Sequence, residues 1–229
     1  MALKQKALVV FSGGQDSTIC LYWALRKFGR GNVRAVTFDY GQRHRIELKS
    51  ARTIARMAGV PLTVLPINTF NELGGNALTG KIPVTLRKKR RGLPNTFVPG
   101  RNIIFLSFAA ALAYREGIHD LVTGVCEADY SGYPDCRDKT IRSLQETLQL
   151  GMDYKIRIHT PLIQMTKAKG LLLAKRLGAF EALAFSHTCY NNKRPPCGKC
   201  PACRLRAKSF REAGMKDPIE TPRTGQPRV

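Results

Sequence analysis

Near the start of this chain, an apolar run passes directly into a glycine-containing loop, and this limits the folds that the chain can adopt. Lys6–Phe11 has the length and composition of a buried strand, and Ser12–Gly14 ends it. A helical pattern follows from Ser17 to Phe28. A strand that leads through a glycine turn into a helix is the first unit of an open parallel sheet. The sequence therefore predicts an α/β protein from its first two elements.

Strand and helix patterns alternate along most of the chain. This alternation favours a parallel sheet with helices on both faces, a Rossmann-like architecture, and the length suits one domain of ordinary size. The helix at residues 102–116 is so apolar that we expect it to be central. The further strands are predicted at Val33–Asp39, Pro61–Leu65, Asp120–Val125 and Arg157–Leu162, and the further helices at Arg45–Met57, Asn102–Glu116, Arg137–Leu150 and Lys167–Leu177.

The loop Ser12–Ser17, with the sequence SGGQDS, has the chemistry of a phosphate site. It follows the carboxyl end of a strand, where open parallel sheets bind ligands. Gly13 and Gly14 let backbone N–H groups approach a phosphate closely, and the next helix adds the positive end of its dipole. Asp16 suits an anion site only if it holds a cation or orients the loop, and Mg²⁺ is the natural candidate. The simpler alternative is a glycine turn in which Ser17 caps the helix.

Four cysteines close together near the C-terminal end indicate a metal site. In a reducing compartment, clustered thiols favour metal binding over disulfides. Four thiolates with no open position are typical of structural zinc, and an iron–sulfur cluster is the alternative. We expect a zinc knuckle at residues 189–212 that packs on the same domain as residues 1–188. The predicted ligands are Cys189, Cys197, Cys200 and Cys203.

The charge of the chain suggests anionic partners. There are 38 Lys and Arg residues against 16 Asp and Glu, a formal net charge of +22. The densest run, Arg87–Arg91, has no interleaved aromatic residues that could stack on bases, so a solvated loop is slightly favoured and nucleic acid stays open. No apolar run reaches the ~20 residues needed to cross a bilayer, and no signal peptide is recognised, so we expect a cytoplasmic protein. Residues 217–229 are predicted to be disordered.

The loop Ser12–Ser17 resembles the PP-loop of the N-type ATP pyrophosphatases, which cleave ATP between its α- and β-phosphates. From about residue 6 to about residue 212, the chain is similar to the QueC family, the 7-cyano-7-deazaguanine synthases. The resemblance implies the fold of the adenine nucleotide alpha hydrolases. Besides the PP-loop and the C-terminal cysteines, it is carried by Phe38–His44, Val98–Asn102, Asp129–Cys136 and Thr160–Leu162 followed by Lys167.

The resemblance implies a C–N ligase that converts 7-carboxy-7-deazaguanine and ammonia to 7-cyano-7-deazaguanine, using ATP through adenylated acid and amide intermediates. It implies Mg²⁺, one structural Zn²⁺ per subunit and a homodimer. Free ammonia is the expected donor, because the chain begins Met1-Ala2 and not with the processed cysteine of a glutaminase. The residues expected to bind ATP are Phe11, Ser12, Gly13, Gly14, Gln15, Asp16, Ser17 and Thr18; those expected to act in catalysis are Asp16, Ser17, Lys167 and Arg101; those expected to bind substrate are His44, Asp129, Tyr133 and Asp135.

Other functions remain open at this point. A PP-loop enzyme that modifies tRNA would use the basic surface, but neither a dedicated RNA-binding domain nor redox-active thiols are recognised. A relative that stops at the 7-amido product shares the same motifs. A zinc-knuckle protein that only binds nucleic acid would leave the intact loop Ser12–Ser17 unexplained.

Overall fold

The computed structural model describes residues 5–41, 45–73, 77–78, 93–127 and 133–219. Five strands in this part of the chain form one sheet in which every neighbouring pair is parallel. The strands are β1 (Ala7–Val10), β2 (Val33–Asp39), β3 (Leu62–Pro66), β4 (Asp120–Thr123) and β5 (Arg157–His159). Their order across the sheet is β3-β2-β1-β4-β5.

The helices of the described residues cover both faces of this sheet, which confirms the predicted fold class. Each predicted strand and helix is present, and most have ends that differ from the prediction by one to three residues. The last strand is shorter than predicted and ends at His159. Two helices, α3 and α7, were not predicted. The helices are α1 (Gln15–Phe28), α2 (Arg45–Ala58), α3 (Thr69–Leu73), α4 (Arg101–Arg115), α5 (Asp138–Met152), α6 (Lys167–Arg176) and α7 (Pro201–Glu212).

Alternate residues of the central strands β1, β2 and β4 enter two separate cores, as the pleat of a strand requires. Val9 of β1 points into a core that it shares with α1, α2, α6 and α7. Its neighbour Leu8 points into the opposite core, which α4 and α5 close. Burial on both faces explains why the strands are continuous apolar runs, such as the buried Ala7–Val9.

The strand order reverses its direction beside β1, and this positions the ligand site. The chain runs from β1 outward through β2 to β3, and then returns to the other side of β1 for β4 and β5. The loops after β1 and β4 therefore diverge to opposite faces and leave a crevice at the carboxyl edge of the sheet, where doubly wound folds bind ligands.

The expectation that the apolar helix is central is only half right. One side of α4 packs on the sheet, where Leu106 and Ala110 are buried. The other side leaves Phe108 49% and Tyr114 55% exposed, and Leu150 of the neighbouring α5 is 78% exposed. The high hydrophobicity of α4 therefore reflects two apolar faces, of which the sheet covers one. No helix in the described residues has the length and apolar character to cross a membrane.

Disorder was predicted for residues 217–229, but the first three of these residues are part of the folded structure. Asp217 is 7% exposed and accepts two hydrogen bonds from Arg206, at 2.6 and 2.8 Å. The same carboxylate accepts the backbone N–H of Ile219. A buried carboxylate held by a guanidinium fixes the backbone around it, so residues 217–219 belong to the fold. Residues 220–229 lie outside the described part of the chain, as do Arg87–Arg91.

Candidate active site

The loop after β1 is held in shape by its own side chains. Ser17 and Thr18 both donate to the carbonyl oxygen of Gly14, at 3.1 and 2.8 Å, and the hydroxyls of Ser12 and Ser17 are 3.0 Å apart. Gly14 is extended and immediately precedes α1, so the free N–H groups of the first turn of α1 face the crevice. The loop thus has the geometry of anion-binding loops at helix N-termini.

Gly13 can have no side chain at its position. Its φ is +76°, and a Cβ there would lie 2.6 Å from the backbone nitrogen of Ala51 and 2.7 Å from the carbonyl oxygen of Glu47, both on α2. Gly124, which follows β4, also approaches the loop closely, since a Cβ on it would lie 2.9 Å from the nitrogen of Ser17. The loop Ser12–Ser17, which we call the phosphate loop, is therefore packed closely between α2 and the end of β4.

We expect Gly13→Ala to lower the unfolding free energy by at least about 2 kcal/mol, because it adds a backbone clash to a left-handed residue. ATP binding by calorimetry is expected to weaken by at least about 10-fold, since the loop must shift. Gly31→Ala is the matched control, because a Cβ at Gly31 meets nothing within 4 Å. Equal behaviour of the two variants in denaturant titrations and calorimetry would contradict this description of the loop.

A cavity of about 740 Å³ opens at the carboxyl edge of the sheet, a size suited to a nucleotide and a second small molecule. Two of the residues predicted to bind ATP, Gly13 and Thr18, are not among the described residues that line this cavity. Thr18 is fully buried. Those that do line the cavity are Phe11, Ser12, Gly14, Gln15, Asp16 and Ser17.

Asp16, predicted to hold Mg²⁺, and Lys167, predicted to act in catalysis, form an ion pair on the cavity wall. Asp16 lies in the first turn of α1, and Lys167 is the first residue of α6, whose N-cap is Thr166. Their side chains are 27% and 13% exposed. This pair places a cation and a carboxylate beside the phosphate loop, an arrangement that suits the binding of charged phosphates.

A second group of polar side chains lines the cavity, and we call it the polar wall: Tyr40, Glu47, Arg101, Tyr133 and Tyr190. A terminal guanidinium nitrogen of Arg101 is 3.5 Å from the hydroxyl of Tyr40. Tyr133 shares a hydrogen bond of 2.7 Å with Thr96. The predicted residues Arg101 and Tyr133 are therefore in one cavity with the phosphate loop.

Burial shifts the titration of the polar wall. It raises the pKa of Glu47 to about 7, and Arg101 only partly opposes this. It likewise raises the pKa of Tyr40 to about 12. Burial alone would lower the pKa of Arg101, but the surrounding phenols and Asp135 outweigh it and hold that pKa above its usual value. Arg101 is thus a fixed positive charge, and Glu47 is the group of the wall whose charge a ligand can change.

Asp135, predicted to contact the substrate, lies behind the cavity wall. It is 4% exposed, and its carboxylate accepts the backbone N–H of Asn102 at 3.0 Å. It is absent from the described lining of the cavity. The aspartate therefore binds the first turn of α4, because a carboxylate at a helix N-terminus satisfies a free N–H group. His44 and Asp129 lie outside the described residues.

The four predicted metal ligands come together in the structure. The sulfur atoms of Cys189, Cys197, Cys200 and Cys203 all lie within 4.8 Å of one another. Backbone N–H groups of Cys197 and Cys200 point at the sulfurs of Cys189 and Cys197, both at 3.4 Å. Four converging thiols with N–H···S bonds are the donor set and second layer of contacts that tetrahedral zinc takes.

The cysteine cluster is joined to the phosphate loop by a short segment. The backbone N–H of His187 donates to the carbonyl oxygen of Gly13 at 3.0 Å, and its Nε2 is 3.0 Å from the carbonyl oxygen of Cys189. Arg206 of α7 holds the same segment through Ser186 and Thr188. The cysteine cluster is therefore directly connected to the loop Ser12–Ser17 and packs on the same domain.

Several lining residues were not found from the sequence. Arg204 and Lys208 project from α7 onto the cavity wall, although the cysteine spacing alone assigned their segment to the metal. Pro201 at the first position of α7 was the available signal, since proline is favoured there. For Glu47 and Tyr190 the sequence offers no such signal, because nothing in the local pattern shows that they reach the crevice.

Comparison with known proteins decides the family. The sequence model of a protein family described as queuosine biosynthesis protein QueC matches residues 6–214. The chain belongs to the QueC family. A relative from Chromobacterium violaceum named 7-cyano-7-deazaguanine synthase is 61% identical over 220 residues, covering 95% of this chain and 94% of the relative. Another of that name from Laribacter hongkongensis is 59% identical over 217 residues, covering 94% of each.

Among solved structures, a predicted subunit of tRNA methyltransferase from Methanocaldococcus jannaschii is similar over 97% of this chain and 94% of that one. The TM-score is 0.49 and the identity 18%, a likeness too weak to bear on function. The family match, in contrast, extends over nearly all of the chain, including the phosphate loop, the polar wall and the cysteine cluster.

Proposed function

We propose that this QueC-family protein is a C–N ligase that makes 7-cyano-7-deazaguanine from 7-carboxy-7-deazaguanine, ammonia and ATP, as the names of its relatives indicate. The observation that carries the proposal is the single cavity that joins the phosphate loop to the polar wall. A nucleotide and a planar polar ring can lie in it together, with the carboxylate of the ring directed at the phosphates. Free thiols at a metal site and the use of ATP favour the cytoplasm.

The chemistry needs two activations of the same carbon. The substrate carboxylate attacks the α-phosphorus of ATP, pyrophosphate leaves, and an acyl adenylate forms. Ammonia displaces AMP and releases a proton, which gives the amide. The amide oxygen attacks a second ATP, pyrophosphate leaves again, and loss of AMP together with both amide protons forms the nitrile. Each adenylation converts an oxygen that is a poor leaving group into part of a good one. The protein therefore mainly positions the reactants and neutralises charge.

Different residues of the cavity bind the phosphates, neutralise charge and bind the substrate ring. N–H groups of the phosphate loop bind the phosphates, with Ser12 and Ser17 beside them. Lys167 is placed to neutralise the developing charge at the attacked phosphate, and Asp16 orients it through their ion pair. Arg101 lies among phenol rings, and this setting favours the substrate ring over the triphosphate. Tyr133 belongs to the same end of the cavity.

The donor sets fit the metals that the family resemblance implies. Mg²⁺ takes one or two carboxylates together with phosphate oxygens, and Asp16 beside the phosphate loop offers that set. When bound there, Mg²⁺ would neutralise phosphate charge. The four converging thiols match one structural Zn²⁺ per subunit. Phosphate binding itself is assigned to the loop and to Lys167.

The proposal is tested by the nucleotide products. With 7-carboxy-7-deazaguanine, ammonium and Mg²⁺, we expect ATP to yield AMP and pyrophosphate, with twice as much AMP as nitrile. Ammonium is expected to support turnover and glutamine to fail. ADP and phosphate as products, or glutamine working as well as ammonium, would contradict the proposed route.

A homodimer is the proposed assembly, and the uncovered face of α4 is its proposed interface. Phe108 and Tyr114 are exposed there, and Tyr114 meets Tyr154 beside the exposed Leu150. Apolar side chains clustered on two neighbouring helices are typical of a surface that a second copy covers. We expect light scattering to give the mass of a dimer and Phe108→Glu to give a monomer. Leu172→Glu, at an exposed apolar position on α6, should leave the dimer intact.

A further inference from the structure

Glu47 and Arg101 reach the cavity from opposite faces of the sheet. Glu47 lies in the first turn of α2, and the carbonyl oxygen of that residue packs against Gly13 of the phosphate loop. Arg101 is the first residue of α4, directly after Gly100, whose φ is +69°. Helices α2 and α4 pack in different cores, so their first turns meet only at the carboxyl edge of the sheet. The two side chains are therefore brought into one wall by the topology of the fold.

The carboxylate of Glu47 is available for a ligand. The other acid on the described cavity wall, Asp16, is already paired with Lys167. Glu47 and Arg101 influence each other electrostatically, but no direct ion pair joins them in the part of the chain that the structure describes. A partly buried carboxylate that lies near a cation but forms no ion pair with it can accept hydrogen bonds from a molecule in the cavity.

The two charged groups match one edge of a guanine-type ring. That edge offers two donors, the ring N1–H and the 2-amino group, and one acceptor, the carbonyl O6. A carboxylate takes both donors side by side, and a guanidinium donates to the carbonyl. The Watson–Crick edge of adenine has a ring acceptor where guanine has N1–H, and so fits the carboxylate poorly. Three phenols and Phe105 around the pair supply apolar surfaces for a flat ring.

We propose that Glu47 and Arg101 together bind the N1–H, 2-amino and O6 edge of the deazaguanine ring and so make the enzyme specific for a guanine-type acid. This rests on the proposed function. In this arrangement Glu47 is a specificity-determining residue, and Arg101 supplies the matching donor. An acid that lacks the 2-amino group leaves half of the carboxylate without a partner inside the cavity, which weakens its binding.

The test compares two acids that differ in one group: 7-carboxy-7-deazaguanine and the analogue without the 2-amino group, 7-carboxy-7-deazahypoxanthine. Calorimetric binding of each acid without ATP and kcat/KM for each are measured. We expect the wild type to favour the first acid by at least about 30-fold, and Glu47→Gln to reduce that ratio to below about 3-fold. Arg101→Met should weaken both acids about equally, because both carry O6.

Glu72→Gln is the matched control, an exposed glutamate on α3 that is not on the cavity wall. Glu47→Gln keeps the size of the side chain and removes a charge that burial disfavours, so its melting temperature at pH 8 should not fall. Equal weakening of both acids by Glu47→Gln would overturn the proposal. So would a preserved preference with a raised KM for ammonium, which would place Glu47 at the ammonia step. If the wild type binds the acids but turns over neither, the proposed function fails while the binding ratio still decides the role of Glu47.

Discussion

Replacing Lys167 with methionine is expected to lower kcat/KM for ATP by at least about 100-fold, the effect of removing one preorganised group that offsets developing charge. The substrate carboxylate and the triphosphate are both anions, so their approach is opposed until cations neutralise them. Lys167 is the lysine on the described cavity wall that is paired with Asp16 of the phosphate loop. Its loss removes a charge at the attacked phosphate and leaves Asp16 to repel the phosphates.

Lys169→Met is the matched control for this variant, because Lys169 lies on the same helix and faces solvent. Steady-state kinetics of both variants with saturating acid and ammonium give the comparison. The unfolding free energy of Lys167→Met should change much less than its activity, since Asp16 keeps access to water. A kcat/KM within about 3-fold of the wild type would exclude Lys167 from charge stabilisation.

The second large effect is expected at Arg206. Arg206→Met should lower the unfolding free energy of the metal-loaded protein by about 3–5 kcal/mol, the usual cost of removing one partner of a buried ion pair. The guanidinium is 4% exposed and donates to both carboxylate oxygens of Asp217. It also donates to Ser186, Thr188 and the carbonyl oxygen of Leu183. Methionine keeps much of the volume but removes all five of these hydrogen bonds and leaves the buried carboxylate of Asp217 without its countercharge.

Arg142→Met is the control for Arg206→Met, because it also breaks an ion pair of good geometry. Arg142 meets Asp138 at 2.7 Å, but its side chain is 79% exposed, so its loss should cost less than about 0.5 kcal/mol. Urea unfolding compares the two. Because Arg206 holds the segment that joins Cys189 to Gly13, its variant should also bind ATP more weakly. A loss below about 1 kcal/mol would contradict the structural role given to this arginine.

The sheet and the phosphate loop could be predicted because their signals are local. A buried strand is one continuous apolar run, as in Ala7–Val10, and SGGQDS combines glycine, hydroxyl and carboxylate groups in a single turn. The cysteine cluster was predictable for the same reason, since Cys197, Cys200 and Cys203 need only a tight turn to converge. The face that each helix presents to its neighbours has no such local signal.

The predictions that failed, and the residues that were not predicted, depend on tertiary contacts between distant parts of the chain. Asp135 follows an aromatic loop and was predicted to bind the ring, but the fold turns it toward the start of α4. Asp217 stands in a polar, proline-containing tail, and only the distant Arg206 explains its burial. Glu47 and Arg101 are separated by more than fifty residues, and only the convergence of α2 and α4 at the sheet edge brings them together.

Mass spectrometry of the deazaguanine product shows whether the cavity turns an acid into a nitrile. The protein is incubated with 7-carboxy-7-deazaguanine, ¹⁵N-ammonium, ATP and Mg²⁺. We expect 7-cyano-7-deazaguanine that carries one ¹⁵N atom in its nitrile group. Accumulation of the labelled amide as the final product would show an enzyme that stops halfway. An acid that remains unconsumed while the protein is folded and loaded with metal would contradict the proposed function.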